Sequence, residues 1–218
     1  MVIYHMNHQA EGTPAGLTRE EQMASSSIGS LVVSMAFPAI LAQLINILYS
    51  IIDRIYIGHM KGVGAAALTG VGVTFCITVF ISAFSGFINS GAAPLAAIWL
   101  GKKNREHAEK ILGNSVTFLV ICTIVLMAFF YIFQRPLLYL FGASDATIGY
   151  AVSYISIYLI GTVFVELSLG LNAFIICQGQ SKTAMYSVLI GAIANIILDP
   201  VFIFAFGLGV KGAAIATV

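Results

Sequence analysis

The sequence is poor in charge, because only 9% of its 218 residues are Asp, Glu, Lys or Arg. An ordinary soluble domain carries about 25%, and it needs that charged surface to remain in water. Ten basic and nine acidic residues are too few to cover a soluble protein of this size. The net charge of +1 gives no indication of a nucleic-acid partner.

Motifs for covalent or redox chemistry are also missing. The three cysteines, an odd number without paired spacing, argue against a disulfide framework or a zinc site. The sequence has no phosphate-binding loop, no HExxH zinc motif and no GxSxG nucleophile elbow. We therefore expect neither an enzyme nor a bound cofactor.

Long apolar runs dominate what remains. Hydrophobic residues make up 59% of the chain and the mean hydropathy is +0.97. A helix that crosses a bilayer needs about 20 mostly apolar residues. The runs predict an all-α transmembrane bundle with helices at about 30–58, 66–99, 106–133, 146–177, 182–206 and 212–218.

The ends of the third and the sixth apolar runs give further predictions. The third helix is predicted to end at a polar segment, Gln134, Arg135 and Pro136. The sixth run is too short to cross a bilayer, so we expect the sequence to be truncated relative to a longer protein. Residues 1–27 are polar and predict a tail, and residues 28–218 predict one transmembrane lobe.

Orientation follows from the basic residues, since cytoplasmic loops carry an excess of Lys and Arg. With a cytoplasmic N-terminus, the inner segments hold Arg19, Lys102, Lys103, Arg105, Lys110 and Lys182. The outer segments then hold Lys61, Arg135 and Lys211. The sequence therefore predicts a cytoplasmic tail and a multi-pass protein of the inner (cytoplasmic) membrane.

Three acidic residues lie inside the apolar runs: Asp53, Glu166 and Asp199. An ionisable side chain at the centre of a membrane helix costs about 2.5–3.5 kcal/mol on insertion scales. At about 1.5 Å per residue, Asp53 and Asp199 both fall in the outer half of the bilayer. Glu166 falls in the inner half, so we expect Asp53 and Asp199 to share a site without it.

Helical spacing adds polar neighbours to both acids. Asn46 and Tyr49 lie on the helix face of Asp53, and Asn195 lies one turn before Asp199. Thr217 falls at a similar depth on the last helix. Oxygen groups of this kind suit a hard cation such as Na⁺, and a buried pair of carboxylates also suits proton exchange.

Simpler interpretations remain open for each residue. Asp53 and Arg54 together are also typical of an ion pair at a membrane interface. Asp199 followed by Pro200 also fits a helix kink. Asn46, Asn172 and Asn195 are also typical of hydrogen bonds between membrane helices, and for Asn46 and Asn172 taken alone this simpler interpretation is favoured.

Several segments resemble the multidrug and toxic compound extrusion (MATE) transporters. Phe37–Ile40 (FPAI) and Tyr49–Gly58 (YSIIDRIYIG) look like the first helix of that family. Ile190–Pro200 (IGAIANIILDP) looks like the fifth helix, and Gly209–Thr217 (GVKGAAIAT) looks like the entry to the sixth. The likeness covers about residues 28–218.

The resemblance implies one lobe of a twelve-helix, two-lobe transporter of the MOP superfamily. Such proteins export drug-like, often cationic molecules in exchange for H⁺ or Na⁺, which are then the coupling ions. Matching motifs imply a cation site at four residues: Asp53, Asn195, Asp199 and Thr217. They also imply that Tyr49 and Asn172 line the substrate cavity, to which we add Asn46. The implied partners are the lipid bilayer, a small-molecule drug and a missing C-terminal lobe.

Two alternatives to an exporter stay open. A lipid-linked sugar flippase of the same superfamily would be favoured by an arginine-lined cavity, and the sequence has no mid-span arginine except Arg54. A truncated half-protein without transport activity of its own is the other.

Overall fold

The computed structural model describes residues 28–218, so the predicted tail at 1–27 lies outside the described residues. The helices are α1 (Ile28–Gly58), α2 (Gly64–Phe87), α3 (Ala93–Gly101), α4 (Arg105–Leu140), α5 (Ile148–Cys177), α6 (Ser181–Pro200) and α7 (Val210–Thr217). Two π-helical turns interrupt them, at Ile88–Ala92 between α2 and α3 and at Val201–Ala205 after α6.

Five apolar segments are long enough to cross a membrane: Val32–Gly58, Gly64–Gly101, Arg105–Leu140, Ile148–Cys177 and Ser181–Ala205. Helices suit a bilayer because they satisfy every backbone polar group internally. The predicted all-α transmembrane bundle is therefore confirmed.

The end of the third span was predicted wrongly. The structure continues α4 through Pro136 to Leu140. The side chain of Gln134 accepts a hydrogen bond from Ser156 Oγ on α5 at 2.8 Å, so this polar residue joins two helices instead of ending one. Gly142, with φ +103°, makes the actual break, because glycine adopts this left-handed backbone conformation without strain.

The π-helical turns lie beside two prolines. Pro94 follows the first turn and Pro200 precedes the second. Proline has no N–H for the usual bond one turn back, and a π-helical turn shifts the pairing to the fifth residue. Thus the N–H of Ala93 bonds to the carbonyl of Ile88. The predicted single span at 66–99 is confirmed as Gly64–Gly101, with this π-helical turn inside it.

Helix α5 is central, since it packs against α2, α4 and α7, whereas α1 packs chiefly against α6. Helix α7 turns back against the second π-helical turn at a very close approach. A Cβ added at Gly212 would lie 2.6 Å from the carbonyl carbon of Phe202. Glycine at this position therefore lets α7 reach the α1–α6 pair.

Candidate functional site

Asp53, Asn195 and Asp199 lie in the interior of the bundle, and we call them the acid cluster. Their side chains are 8%, 5% and 0% exposed. The carboxyl group of Asp199 is close enough to that of Asp53 for electrostatic repulsion. The structure therefore brings together two acids that are 146 positions apart in the sequence (199 − 53).

Most polar atoms of the acid cluster lack a partner. Within residues 28–218, no hydrogen bond reaches Asp53 Oδ1, either side-chain atom of Asn195, or either carboxylate oxygen of Asp199. Buried polar groups are normally satisfied, and leaving one unsatisfied costs about 1–3 kcal/mol. Such a concentration of free oxygens is typical of a site that binds something.

Helix geometry explains how the cluster forms. Asn195 and Asp199 are one turn apart on α6, so both side chains lie on the same face. That face meets α1, the principal neighbour of α6. Asp53 lies on α1 at the same level.

Two tyrosine hydroxyl groups lie near Asp53, and a threonine hydroxyl group lies beside one of them. Tyr49 and Tyr154 both lie within electrostatic range of Asp53. Tyr154 also interacts with the side chain of Thr217, whose Oγ1 donates a hydrogen bond to the carbonyl of Ala213 at 2.9 Å. Thr217 is thereby connected to the acid cluster through Tyr154.

Arg54 does not form the interfacial ion pair that the sequence left open. Its guanidinium lies 5.6 Å from the centre of the Phe75 ring, and its side chain is exposed. In the described part of the chain, the salt bridge found joins Lys110 and Glu106. Arg54 affects Asp53 only through longer-range electrostatics.

A cavity of about 830 Å³ opens beside the acid cluster, and we call it the amide cavity. Its polar lining includes five carboxamides, Gln43, Asn46, Asn89, Asn172 and Asn195, and five hydroxyl groups, Tyr49, Ser168, Ser181, Ser187 and Thr217. No charged side chain belongs to the lining among the described residues. The cavity therefore offers hydrogen bonds and apolar contact without fixed charge.

Five predicted site residues line this cavity: Asn46, Tyr49, Asn172, Asn195 and Thr217. Asp53 and Asp199 do not line it. Tyr49, Asn195 and Thr217 thus belong to the cavity wall and also lie at or beside the acid cluster.

Asn172 has a structural role as well as a position in the cavity. Its Nδ2 donates hydrogen bonds to the carbonyl of Ala184 at 3.2 Å and to Ser187 Oγ at 3.0 Å. Both acceptors belong to α6. Asn172 therefore joins α5 to α6, which agrees with the simpler interpretation of this residue.

Three residues were not singled out from the sequence. Gln43 is one turn before Asn46. The rule that residues three or four positions apart share a helix face would have identified it. Asn89 lies in the first π-helical turn, where ordinary helical periodicity fails. Tyr154 is one of three tyrosines spaced four residues apart on α5, Tyr150, Tyr154 and Tyr158. Only the packing of that helix shows that Tyr154 reaches Asp53.

The chemistry of the acid cluster suits a small hard cation. Its donors are carboxylate and amide oxygens, which such cations prefer. Across residues 28–218, no group of three or more His, Cys, Asp or Glu side chains is suited to hold a metal ion. A buried pair of carboxyl groups also suits proton exchange.

Comparison with known proteins gives a consistent family. The model of the MatE family matches residues 38–201. The chain is similar to the FAD transporter of Shewanella oneidensis, with 27% identity over 199 residues that cover 89% of this chain and 43% of the relative. It is also similar to the probable multidrug resistance protein YoeA of Bacillus subtilis, with 29% identity, 83% of this chain and 40% of the relative.

Solved structures agree with the sequence relatives. A crystal structure of MATE in complex with MaD3S matches with a TM-score of 0.83 and 25% identity, covering 93% of this chain and 45% of that one. An outward-facing multidrug resistance MATE transporter of the MOP superfamily shares the fold, with a TM-score of 0.82. The chain thus spans less than half the length of the proteins that it matches.

Proposed function

Because the chain belongs to the MatE family of membrane transporters, we propose that it forms the N-terminal lobe of a cation-coupled exporter of drug-like molecules. The coupling ion is H⁺ or Na⁺, and the exported molecules are often cationic. One observation supports this proposal. The acid cluster, with its unpartnered buried oxygens, lies beside an uncharged cavity, and Asn195 belongs to both.

In this mechanism the cation binds between Asp53 and Asp199 from the outer side of the membrane. Binding neutralises negative charge in a region of low dielectric, where an isolated ion costs several kcal/mol. The helices then repack near Pro200, where the second π-helical turn already departs from regular α-helix. Repacking at α1 and α6 narrows the amide cavity, because both helices line it.

The same proposal places the protein in the inner membrane with its N-terminus in the cytoplasm. The excess of basic residues in the predicted inner segments supports this orientation. A C-terminal lobe completes the substrate pathway, since the matched relatives are more than twice as long as their matched region.

The test uses everted membrane vesicles from cells that express the chain together with the C-terminal half of the Staphylococcus haemolyticus multidrug export protein MepA, a relative that is 25% identical. A pH gradient and a sodium gradient are imposed separately, and uptake of a fluorescent cationic dye and of FAD is followed. FAD is included because one relative is named for it. We expect one gradient to drive dye uptake and the Asp199→Asn variant to abolish it.

The control substitution is Asp145→Asn, which changes an exposed loop acid bound to Tyr139. Intact uptake by Asp199→Asn would overturn the mechanism. Uptake driven by neither gradient would favour a half-protein without transport of its own. The flippase alternative receives no support from the amide cavity, whose described lining contains no arginine.

A further inference from the structure

Glu166 is a buried acid outside the acid cluster. Its side chain on α5 is 0% exposed. Ser82 Oγ on α2 donates a hydrogen bond to Glu166 Oε1 at 3.1 Å. Oε2 of the same carboxyl group has no partner among the described residues.

Within residues 28–218, no positively charged side chain is buried around Glu166. Of the buried side chains on the helices that pack against α5, namely α2, α3, α4, α6 and α7, only Asp199 is ionisable. The described groups that act on Glu166 electrostatically or by hydrogen bonding are Ser82, Ser85 and Tyr158. A buried carboxylate without a cationic partner is unfavourable by several kcal/mol, so this carboxyl group needs a proton or a bound cation.

Ser85 offers an acceptor for a proton on this carboxyl group. Its side chain and its backbone N–H both lie beside the Glu166 carboxyl group, and its own Oγ donates to the carbonyl of Ser82 at 2.9 Å. Since its hydrogen is already used, the free lone pairs of Ser85 Oγ can only accept a hydrogen bond. A protonated Oε2 supplies that donor. A metal ion is less suitable, because hard cations such as Mg²⁺ and Ca²⁺ take about six or more oxygen ligands.

A row of buried side chains on α5 runs from this carboxyl group towards the acid cluster. Four side chains follow one another at intervals of four residues on α5, and each is at most 7% exposed: Tyr154, Tyr158, Thr162 and Glu166. Tyr158 interacts with Ser82, which binds Glu166, and lies near Tyr49. At the other end, Tyr154 lies within electrostatic range of Asp53.

We propose that Glu166 is a second proton-binding site, in which Oε2 carries one proton between Ser82 and Ser85 and exchanges it along Tyr158 towards the acid cluster. No bond other than O–H forms or breaks: a protonated carboxyl group of the acid cluster gives up the proton and becomes a carboxylate, while the Glu166 carboxylate becomes a carboxylic acid. The proton content of Glu166 can be measured without transport. A result that disproves this site is therefore distinguishable from a result that disproves the proposed efflux.

Infrared spectroscopy of the purified chain in lipid nanodiscs tests the site, because a protonated carboxylic acid has its own carbonyl stretching band. At neutral pH we expect such a band in the wild type and its loss in Glu166→Gln, with no change in Asp145→Asn. Ser82→Ala and Ser85→Ala keep the carboxyl group and should each shift the band, since each removes one hydrogen-bond partner. These serine variants also test the site if Glu166→Gln fails to fold.

Three outcomes would overturn the site. One is a spectrum in which Glu166→Gln removes no protonated-acid band. Another is a band that neither serine variant shifts. The third is a band that disappears when Na⁺ replaces K⁺ at constant pH, which would assign the site to a metal ion.

The connection to the acid cluster has its own measurement, the rate at which the Glu166 band shifts after transfer into D₂O. A positioned proton-transfer group contributes about 100-fold or more to such a rate, so Tyr158→Phe should slow the exchange by about that factor. Tyr186→Phe, at an exposed tyrosine of α6, is the matched control. Equal rates in the wild type and Tyr158→Phe would disprove the connection.

Discussion

The acid cluster and the amide cavity are neighbours, but they differ in almost every physical property. The acid cluster is closed, carries two carboxyl groups and leaves most of its polar atoms without partners. The amide cavity is about 830 Å³, open, and free of charged side chains in its described lining. The proposed function assigns a small ion to the first and an organic molecule to the second.

The difference indicates how one lobe can separate two ligands. Charge is kept behind the cavity wall, where water is scarce and electrostatic interactions are strong. The wall itself contains Tyr49, Asn195 and Thr217, which lie at or beside both sites. Communication between the sites should therefore depend on these shared residues more than on the amides far from the acids.

The largest effect is expected for Asp199→Asn, which removes a carboxylate and keeps its shape. Cation binding to the purified chain should weaken about 100-fold, since an interaction with a charged group contributes about 1.5–3 kcal/mol. Titration with ²²Na⁺ or with pH-monitored proton uptake measures it. Drug binding at fixed pH should change little, because Asp199 does not line the cavity. Equal losses of both ligands would show that the two regions are one site.

Asn195→Ala should affect both ligands, because Asn195 belongs to both regions. We expect cation and drug binding each to weaken about tenfold, which corresponds to about 1.4 kcal/mol. Equilibrium binding of each ligand to the same preparation gives the comparison. Asn114→Ala, at an exposed position of α4, is the control. Weaker binding of only one of the two ligands would show that Asn195 does not act in both the acid cluster and the amide cavity.

Gly212→Ala tests whether α7 holds Thr217 in place. The added Cβ would lie 2.6 Å from the carbonyl carbon of Phe202, and overpacking of this kind costs about 1–3 kcal/mol. Thermal unfolding in detergent should occur at a lower temperature, and cation binding should weaken about fivefold as α7 moves away. Gly72→Ala, where no atom lies within 4 Å of the new Cβ, should change neither. Unaltered cation binding in a destabilised variant would exclude α7 from the site.

The smallest effect is expected for Asn46→Ala, in the cavity but outside the acid cluster. Loss of one hydrogen bond contributes about 0.5–1.5 kcal/mol, so drug binding should weaken about threefold to tenfold while cation binding is unchanged. Fluorescence titration of a bound dye measures the affinity for the drug. Leu48→Ala, at an exposed apolar position of the same helix, controls for changes in α1. Weaker cation binding in Asn46→Ala would extend the ion site along α1.

The transmembrane helices were largely predictable, and the errors have identifiable causes. Apolar length determines a membrane helix because the bilayer forces backbone groups to pair within it. Polar residues near the expected boundary do not end a helix when they bond to a neighbour, as Gln134 does with Ser156. The real end of α4 depended on Gly142, a weaker signal in the sequence.

The candidate site was predictable only along single helices. Helical periodicity placed Asn195 with Asp199, and Asn46 and Tyr49 with Asp53, because residues three or four apart share a face. It could not identify Asn89, whose π-helical turn changes the register. It could not identify Tyr154 either, because that residue reaches Asp53 through contacts between helices. The assignment of these residues to ion or drug binding remains a prediction.

The sequence by itself determined that this chain is a bundle of membrane-length helices with rare acids inside them, since composition and the length of apolar runs need no partner. Tertiary structure decided which of those acids meet. Asp53 and Asp199 face one another because α1 packs against α6, whereas Glu166 faces the serines of α2. Depth is a property of one helix, but rotation and pairing are set by how all the helices pack together.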